Sequence, residues 1–507
     1  MRRYHEAAEA VEVYSPAEEQ FNRRRRTVGL FAGPALFLIL LVAPLPLPTP
    51  AHRLGAILAM MVVLWVTEAL PLAVTALIGP VLAILLGVAQ ARVAFAPFAD
   101  PIIFLFIGGF MLAEAMFVHG LDRRIAYTAL ASPAVGRSPW RILIVFGGVT
   151  TFISMWISNT ATTAMMFPIG LSIVAHVTKG RNQDPATRRF AMAMMLITAF
   201  GASVGGMATP IGTPPNLIGL GMLERLVGYR LSFAAWMVFG VPLTIILFAF
   251  LVVYFGTTLV KGVKFDASAA NPLKSELAKL GGLTKGERNV LVAFGITVVL
   301  WLLPGVLAII GMSSTPFARA YGAVVPESVA AMIGAILLFL LPVSWRQRRF
   351  TLGWDDAARI DWGIILLFGG GLTMGELAFS TGLAERLGRG IVAMLPVSGP
   401  VALTLLFTAV AIIVSETASN TASANMIVPI AIAVAQASGV DPVIPALAAT
   451  LGASMGFMMP ISTPPNAIVY SSGHVPINVM MRYGFALDLV GFLLITAMLL
   501  AFGGMLR

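Results

Sequence analysis

Long, uninterrupted apolar stretches dominate the pattern of hydrophobic and polar positions along this chain. Each is about 20 residues long, which is enough for a helix to cross a membrane. They lie near residues 28–47, 54–72, 73–90, 101–119, 232–255, 289–309, 324–342, 361–381 and 483–505. The stretches do not alternate with period two, as the strands of an outer-membrane barrel would. The pattern therefore predicts an all-α polytopic membrane protein.

Two further regions, 140–222 and 398–474, are apolar but interrupted by polar and proline-containing motifs. If each holds a re-entrant hairpin and one broken crossing helix, the chain crosses the membrane about eleven times. We expect the hairpins near 140–176 and 398–434 and the broken helices near 190–222 and 443–474. The predicted organisation is a cytosolic tail at 1–27, a first span at 28–53, a first repeat at 54–256, a cytosolic loop at 257–288 and a second repeat at 289–507.

Composition narrows the class further. Hydrophobic residues make up 58% of the 507 residues and charged residues 11%, with a mean hydropathy of +0.90. These values exclude a soluble enzyme and a nucleic-acid-binding domain. The net charge of +10 reflects loop residues, because 25 of the 33 lysines and arginines fall on the predicted cytoplasmic side. This bias predicts a cytoplasmic N-terminus and an external C-terminus, and we expect the bacterial inner membrane as the location.

Three motifs recur in the same order in the two halves of the chain. Phe106–Gly109 recurs as Phe368–Gly371 at an offset of 262, and Ser158-Asn159-Thr160 recurs as Ser419-Asn420-Thr421 at an offset of 261. Pro210–Asn216 recurs as Pro460–Asn466 at an offset of 250. Since each repeat would hold five crossings, the second must be inverted relative to the first. Inverted repeats are typical of secondary transporters, which bind cargo at the repeat interface.

The Ser-Asn-Thr triplets are predicted to form the tips of the two hairpins. Free backbone N–H groups at a helix start favour an anion, whereas hydroxyl and amide oxygens favour a hard cation. Small polar residues in membrane helices also serve helix packing, which is the alternative role for a single triplet. The symmetric occurrence of two triplets favours a binding site.

The Thr-Pro-Pro-Asn motifs, Thr213–Asn216 and Thr463–Asn466, are the second paired element. Two successive prolines cannot continue a helix, so each motif is expected to break its span near the middle of the membrane. A simple kink or a surface loop is the alternative, but apolar residues flank both motifs.

The candidate binding segments lack basic residues. No lysine or arginine occurs at 142–178, 190–224 or 390–481. If the cargo is an anion, its charge must be offset by helix dipoles and bound cations, which favours cotransport with Na⁺.

Four acidic residues lie in or near the apolar segments. Glu416 precedes the second triplet, where the first copy has Met155. It could be a proton carrier, a cation ligand or a structural hydrogen-bonding residue. Glu114, Glu376 and Glu68 are expected to serve as helix caps or interhelical contacts.

These motifs resemble those of the divalent-anion:sodium symporter family, which includes sodium:dicarboxylate and sodium:sulfate cotransporters. The resemblance is carried by the stretch Trp65–Pro71, both Ser-Asn-Thr triplets and both Thr-Pro-Pro-Asn motifs, and it covers residues 54–505. It implies eleven spans, two re-entrant hairpins, a homodimer in the lipid bilayer and elevator movement of a transport domain.

The resemblance also implies a set of site residues. The first Na⁺ site would use Ser154, Ser158, Asn159 and the Gly212 carbonyl, and the second would use Ser415, Ala418, Asn420 and the Ser462 carbonyl. The substrate carboxylates would contact Asn159, Thr160, Thr213, Ser419, Asn420, Thr421, Thr463 and Pro464. Ser415 and Ser462 depart from the expected threonine and alanine, which is expected to alter affinity.

The sequence thus predicts a secondary transporter, not an enzyme, that imports a C4-dicarboxylate such as succinate, malate or fumarate with Na⁺. Na⁺-independent dicarboxylate exchange and transport of sulfate or a tricarboxylate are the alternatives within transport. An intramembrane enzyme would need a nucleophile with a base or a metal site, and no such group adjoins the triplets. A channel is disfavoured because symmetric broken helices without a charged pore ring are typical of alternating access.

Overall fold

The computed structural model describes residues 16–132, 138–177, 184–263, 271–394 and 399–506, and these residues are almost entirely helical. The only sheet within these ranges pairs the antiparallel strands β1 (Pro342–Ser344) and β2 (Arg349–Phe350). The prediction of an all-α protein is confirmed.

The first half of the chain holds eleven helices within its described residues. They are α1 (Pro16–Val42), α2 (Thr49–Thr67), α3 (Leu72–Leu85), α4 (Ala91–Phe95), α5 (Pro101–His119), α6 (Leu121–Leu130), α7 (Pro139–Ser154), α8 (Asn159–Val177), α9 (Pro185–Gly206), α10 (Pro214–Met222) and α11 (Phe233–Thr258). A 3₁₀ turn at Ala96–Ala99 precedes α5, and a π-helical turn at Leu223–Val227 follows α10.

The second half holds twelve more helices within its described residues. They are α12 (Asn271–Lys279), α13 (Lys285–Ile309), α14 (Pro316–Val324), α15 (Glu327–Leu340), α16 (Trp354–Ala357), α17 (Trp362–Ser380), α18 (Leu383–Met394), α19 (Pro400–Thr417), α20 (Asn420–Ala437), α21 (Val443–Gly452), α22 (Pro464–Tyr470) and α23 (Ile477–Phe502). A 3₁₀ turn at Gly503–Leu506 follows α23.

Membrane-spanning helices dominate this architecture. In the described part of the chain, nine helices are long and apolar enough to cross a membrane, or ten if the bent pair α14 and α15 counts as one span. Large apolar side chains such as Val42, Ile309 and Ile413 are exposed on the outer surface. Because exposed apolar patches of this extent suit lipid and not water, the polytopic membrane prediction is confirmed.

The N-terminal region is more helical than the predicted tail suggests. Helix α1 begins at Pro16, so Arg23–Arg26 lie within it and not before it. Arg25 forms an ion pair of 2.8 Å with Glu68 at the end of α2, which gives Glu68 the interhelical contact expected of it. Residues 1–15 of the predicted tail, and the basic residues Arg137, Lys179 and Arg181, lie outside the described residues.

Prolines start many of these helices. Proline lacks the N–H that would have no partner in a first helical turn, and its φ angle suits that position. Both Pro-Pro pairs follow this rule, because Pro214 begins α10 and Pro464 begins α22. The breaks expected at these prolines therefore lie just before them, at 207–213 and 453–463, and the prolines start the second half of each broken helix.

The two repeats interlock at the centre of the molecule. Helices α7 and α8 form the first hairpin and α19 and α20 the second, each packed against the broken helix of its own repeat. Helix α10 of the first repeat packs against α20 and α21 of the second, and α22 packs against α8 and α9. The second half of each broken helix therefore packs against the opposite repeat.

Candidate functional site

The Ser-Asn-Thr triplets lie at the turns of the two hairpins, as expected. Helix α8 begins at Asn159 and α20 at Asn420. The hydroxyl of Ser158 accepts a hydrogen bond of 3.3 Å from the Ala161 N–H, and that of Ser419 accepts one of 3.2 Å from the Ala422 N–H. Serine is favoured at the start of a helix because it satisfies one of the unpaired N–H groups there.

A serine and an asparagine meet in the same way in both repeats. The Ser154 hydroxyl donates a hydrogen bond of 2.8 Å to Oδ1 of Asn159, and the Ser415 hydroxyl donates one of 2.7 Å to Oδ1 of Asn420. Both serines are fully buried, whereas the asparagines are half-buried. Each pair brings two neutral oxygens together, which is the ligand chemistry that a hard cation such as Na⁺ prefers.

Two glycines bring the broken helices close to these pairs. A Cβ atom on Gly206 would collide with the Asn159 side chain, and one on Gly456 would press against Asn420 and Ser415. A glycine at each position therefore allows the backbone to approach the asparagine.

In each repeat, the asparagine at the end of the Thr-Pro-Pro-Asn motif donates hydrogen bonds to two backbone carbonyls at the break in the helix. Asn216 donates hydrogen bonds to the carbonyls of Gly206 (3.0 Å) and Thr209 (2.8 Å). Asn466 makes the equivalent bonds to Gly456 (3.1 Å) and Met459 (3.0 Å). Buried carbonyls outside a regular helix need such donors. Sequence reasoning gave these asparagines no role, although their place at the end of the repeated motif was a usable signal.

The remaining predicted Na⁺ ligands are placed less uniformly. Gly212 packs against the Gly206 and Met155 carbonyls, and Gly206 in turn faces Asn159 of the first Ser–Asn pair. The single proton of the Ser462 hydroxyl is shared between the backbone carbonyl (3.0 Å) and the carboxylate (2.7 Å) of Glu416. Ala418 is buried in an extended conformation at the end of α19.

The predicted substrate residues lie at the starts of two pairs of packed helices. Asn159 and Thr160 begin α8, which packs against α22, the helix that follows Thr463 and begins with Pro464. Helix α10, which follows Thr213, packs against α20, which follows Ser419 and begins with Asn420 and Thr421. The Thr463 hydroxyl accepts a 3.3 Å hydrogen bond from Asn466, whereas the Thr213 side chain caps nothing.

Glu416 is the carboxylate nearest the second triplet. One of its oxygens accepts hydrogen bonds from the N–H groups of Phe457 (2.5 Å) and Met458 (2.8 Å), and the other accepts from the Ser462 hydroxyl. Its side chain therefore fixes the loop between α21 and α22. The structure also brings Asp488 of α23 beside Glu416, a neighbour that sequence reasoning missed. A lone acid within the apolar stretch 483–505 was the available signal.

Ion pairs near the end of α10 join the segment that follows it to three other helices. Arg225 lies 3.0 Å from both Asp100 and Glu376, so Glu376 forms the interhelical contact expected of it. Arg230 pairs with Glu327 at the start of α15. These ion pairs connect the segment after α10 to α5, α15 and α17.

Comparisons with known proteins agree with this architecture. The family described as the sodium:sulfate symporter transmembrane region matches residues 24–507. A protein of Staphylococcus saprophyticus called sodium-dependent dicarboxylate transporter SdcS is 33% identical over 475 residues, which are 92% of this chain and 89% of the relative. Its namesake in Staphylococcus aureus has the same identity and coverage.

Two solved transporter structures share the fold at low sequence identity. The Alcanivorax borkumensis YdaH transporter superposes with a TM-score of 0.55 at 14% identity, covering 90% of this chain and 99% of that one. Neisseria gonorrhoeae MtrF superposes with a TM-score of 0.54 at 12% identity, covering 91% and 96%. At these identities the likeness concerns the fold alone.

Proposed function

The chain belongs to the sodium:sulfate symporter family, a family of transporters and not of enzymes, and we propose that it imports C4-dicarboxylates such as succinate, malate and fumarate by Na⁺ symport. The relatives called sodium-dependent dicarboxylate transporters support both the cargo and the coupling ion. One observation on this chain carries the proposal most directly. A Ser–Asn oxygen pair occurs at each hairpin turn, in segments that lack lysine and arginine.

The charge balance explains why Na⁺ is needed. A dicarboxylate that enters these segments meets amides, hydroxyls and helix starts, which donate hydrogen bonds but carry no full positive charge. A Na⁺ ion at each Ser–Asn pair would supply that charge. The first ion would be held by Ser154, Ser158, Asn159 and Gly212, and the second by Ser415, Ala418, Asn420 and Ser462.

The predicted substrate residues would bind the cargo between the repeats. Asn159 and Asn420 would each use Oδ1 for a cation and the amide N–H₂ for a substrate carboxylate. The side chain would then couple the two ligands, because binding of the cation orients the amide that donates to the anion. This shared role makes the two asparagines the most informative positions.

Alternating access would follow an elevator mechanism in a homodimer embedded in the bacterial cytoplasmic membrane. The hairpins and broken helices pack into one unit, which supports its movement as a body against the other helices. In such a movement the ion pairs of Arg225 with Asp100 and Glu376 would have to break.

Uptake into proteoliposomes tests the proposal. Labelled succinate should accumulate when an inward Na⁺ gradient is imposed and should not when choline replaces Na⁺. Uptake that persists in choline and requires internal dicarboxylate would establish Na⁺-independent exchange instead. Competition by unlabelled sulfate or a tricarboxylate, stronger than that by malate or fumarate, would contradict the proposed substrate class.

A further inference from the structure

Glu416 and Asp488 form a buried carboxyl pair that the two Na⁺ sites do not explain. Their side chains belong to residues that are 4% and 5% exposed. Asp488 lies close enough to Glu416 for the two carboxyl groups to interact directly. Neither oxygen of Asp488 receives a hydrogen bond from any donor among the described residues. Buried carboxylates are costly unless a partner offsets their charge, so this pair needs one.

The surrounding helices offer no basic side chain to this pair. Helix α23, which carries Asp488, packs against α11, α19 and α21, and none of these three contains lysine, arginine or histidine. On α23 itself the nearest basic residue is Arg482, six positions earlier, which places it about 9 Å away along the axis and on another face of the helix. Because the chain supplies no positive charge here, the pair must be neutralised from solution, by a proton or by a cation.

The first repeat forms its broken helix without acids at the two matching positions. Gly240 of α11 and Gly484 of α23 occupy equivalent places, because each packs directly on the break of its own repeat, at Met207 and Phe457 respectively. Four residues further on, α11 has Thr244 where α23 has Asp488.

The position that matches Glu416 also lacks an acid in the first repeat. Met155 stands at the first-repeat position of Glu416, and Thr244 donates a hydrogen bond of 3.1 Å to the Val204 carbonyl. A broken helix is thus built at the matching position without acids in one half and with two acids in the other.

We propose that Glu416, Asp488 and the Ser462 hydroxyl bind one additional Na⁺ ion beside the second predicted Na⁺ site, an inference that rests on the proposed Na⁺-coupled transport. The three donors that already point at Glu416 suit an ionised carboxylate. Asp488 then provides two oxygens without donors, and Glu416 and Ser462 provide further oxygen lone pairs. Oxygen ligands of this kind, with a carboxylate charge, are those that a hard cation selects.

Equilibrium binding of ²²Na⁺ to the purified protein tests the additional site. Asp488→Asn keeps the side-chain shape and removes the charge, and Asp488→Thr introduces the residue of the first repeat. Each variant should bind one Na⁺ fewer per chain than the wild type, with an unchanged thermal midpoint in Na⁺-free buffer. Thr244→Asn is the matched control in the first repeat and should bind as many ions as the wild type.

Unchanged ²²Na⁺ binding by a folded Asp488→Asn or Asp488→Thr protein would overturn the inference. This is the result expected if the two carboxyl groups share a proton instead of binding Na⁺. If both variants fail to fold, Glu416→Gln in the same assay decides in the same way. The test is separable from that of the proposed function. Wild-type protein that binds the additional ion but accumulates no succinate contradicts the proposed function and leaves the site intact.

Discussion

The two repeats build the same local structure around different charges. In both, a buried serine donates to the triplet asparagine, and a second asparagine holds the carbonyls of the broken helix. In the first repeat the backbone carbonyl of Met155 accepts a hydrogen bond from the Thr209 hydroxyl. In the second, the carboxylate of Glu416 binds two backbone N–H groups of the loop.

This difference follows the length of each break. The first break, 207–213, begins with residues that still form helix-like hydrogen bonds to Val204 and Gly205. The second break, 453–463, is longer, and the N–H groups of Phe457 and Met458 are bonded by Glu416 instead. The duplicated motifs thus place a neutral Ser–Asn oxygen pair in each repeat, whereas the buried carboxyl groups of Glu416 and Asp488 belong to the second repeat.

The largest expected effect comes from removing the triplet asparagines. Asn159→Ala and Asn420→Ala should each reduce succinate uptake by about 10- to 100-fold, because each loses hydrogen bonds to charged ligands. Asn478→Ala, an exposed asparagine at the start of α23, is the control and should transport normally. Wild-type uptake by both triplet variants would remove the basis for the site assignment.

Asn216 and Asn466, which bond the carbonyls of the two breaks, should contribute equally to the stability of the protein. Asn216→Ala and Asn466→Ala each leave two carbonyls of the break without their side-chain donor, at an expected cost of about 2–4 kcal/mol in the free energy of unfolding. Thermal unfolding of the detergent-solubilised protein measures this cost. A large loss at one position and none at the other would show that the two breaks are not equivalent.

A difference between the repeats outside the site should appear as a dependence on pH. Asp122 of α6 is buried, and burial raises its pKa to about 7, whereas the second repeat has Ala384 at the matching position. Because the folded pKa lies above the unfolded value, the contribution of Asp122 to stability is lost as pH rises from about 4 through 7.

Asp122→Ala removes this dependence. Relative to this variant, the wild type should lose about 2–3 kcal/mol of stability between pH 5 and pH 8. Thermal midpoints of both proteins at the two pH values provide the measurement. A midpoint difference that is the same at pH 5 and pH 8 would contradict the assigned protonation.

The smallest effect is expected at the glycines that face the triplet asparagines. A Cβ on Gly206 would overlap the Asn159 side chain more severely than one on Gly456 would overlap Asn420. Gly206→Ala should therefore raise the Na⁺ concentration needed for half-maximal uptake more than Gly456→Ala does. The reverse order would mean that the first break relaxes more easily than its contacts suggest.

Much of this fold could be predicted from the sequence, because the length of an apolar stretch and the residues of a repeated motif can be read from contiguous sequence. The triplets locate both hairpin turns, and the Thr-Pro-Pro-Asn motifs locate the second halves of both broken helices. The helical start of α1 at Pro16 was not predictable from hydropathy, since its first turns are polar.

Contacts between distant segments were beyond reach of the motifs. Glu416 and Asp488 are 72 positions apart, and their proximity depends on how α23 packs on the second break. The ion pairs of Arg225 likewise join residues from three parts of the chain. Such contacts follow from tertiary packing, for which local sequence patterns carry no signal.

In the proposed mechanism, bound Na⁺ supplies the positive charge that the segments predicted to bind the anion lack. Calorimetric titration of succinate into the purified wild-type protein tests it most directly. We expect succinate binding in sodium chloride and loss of that binding in choline chloride at the same ionic strength. Succinate binding of equal affinity in the two salts would contradict it.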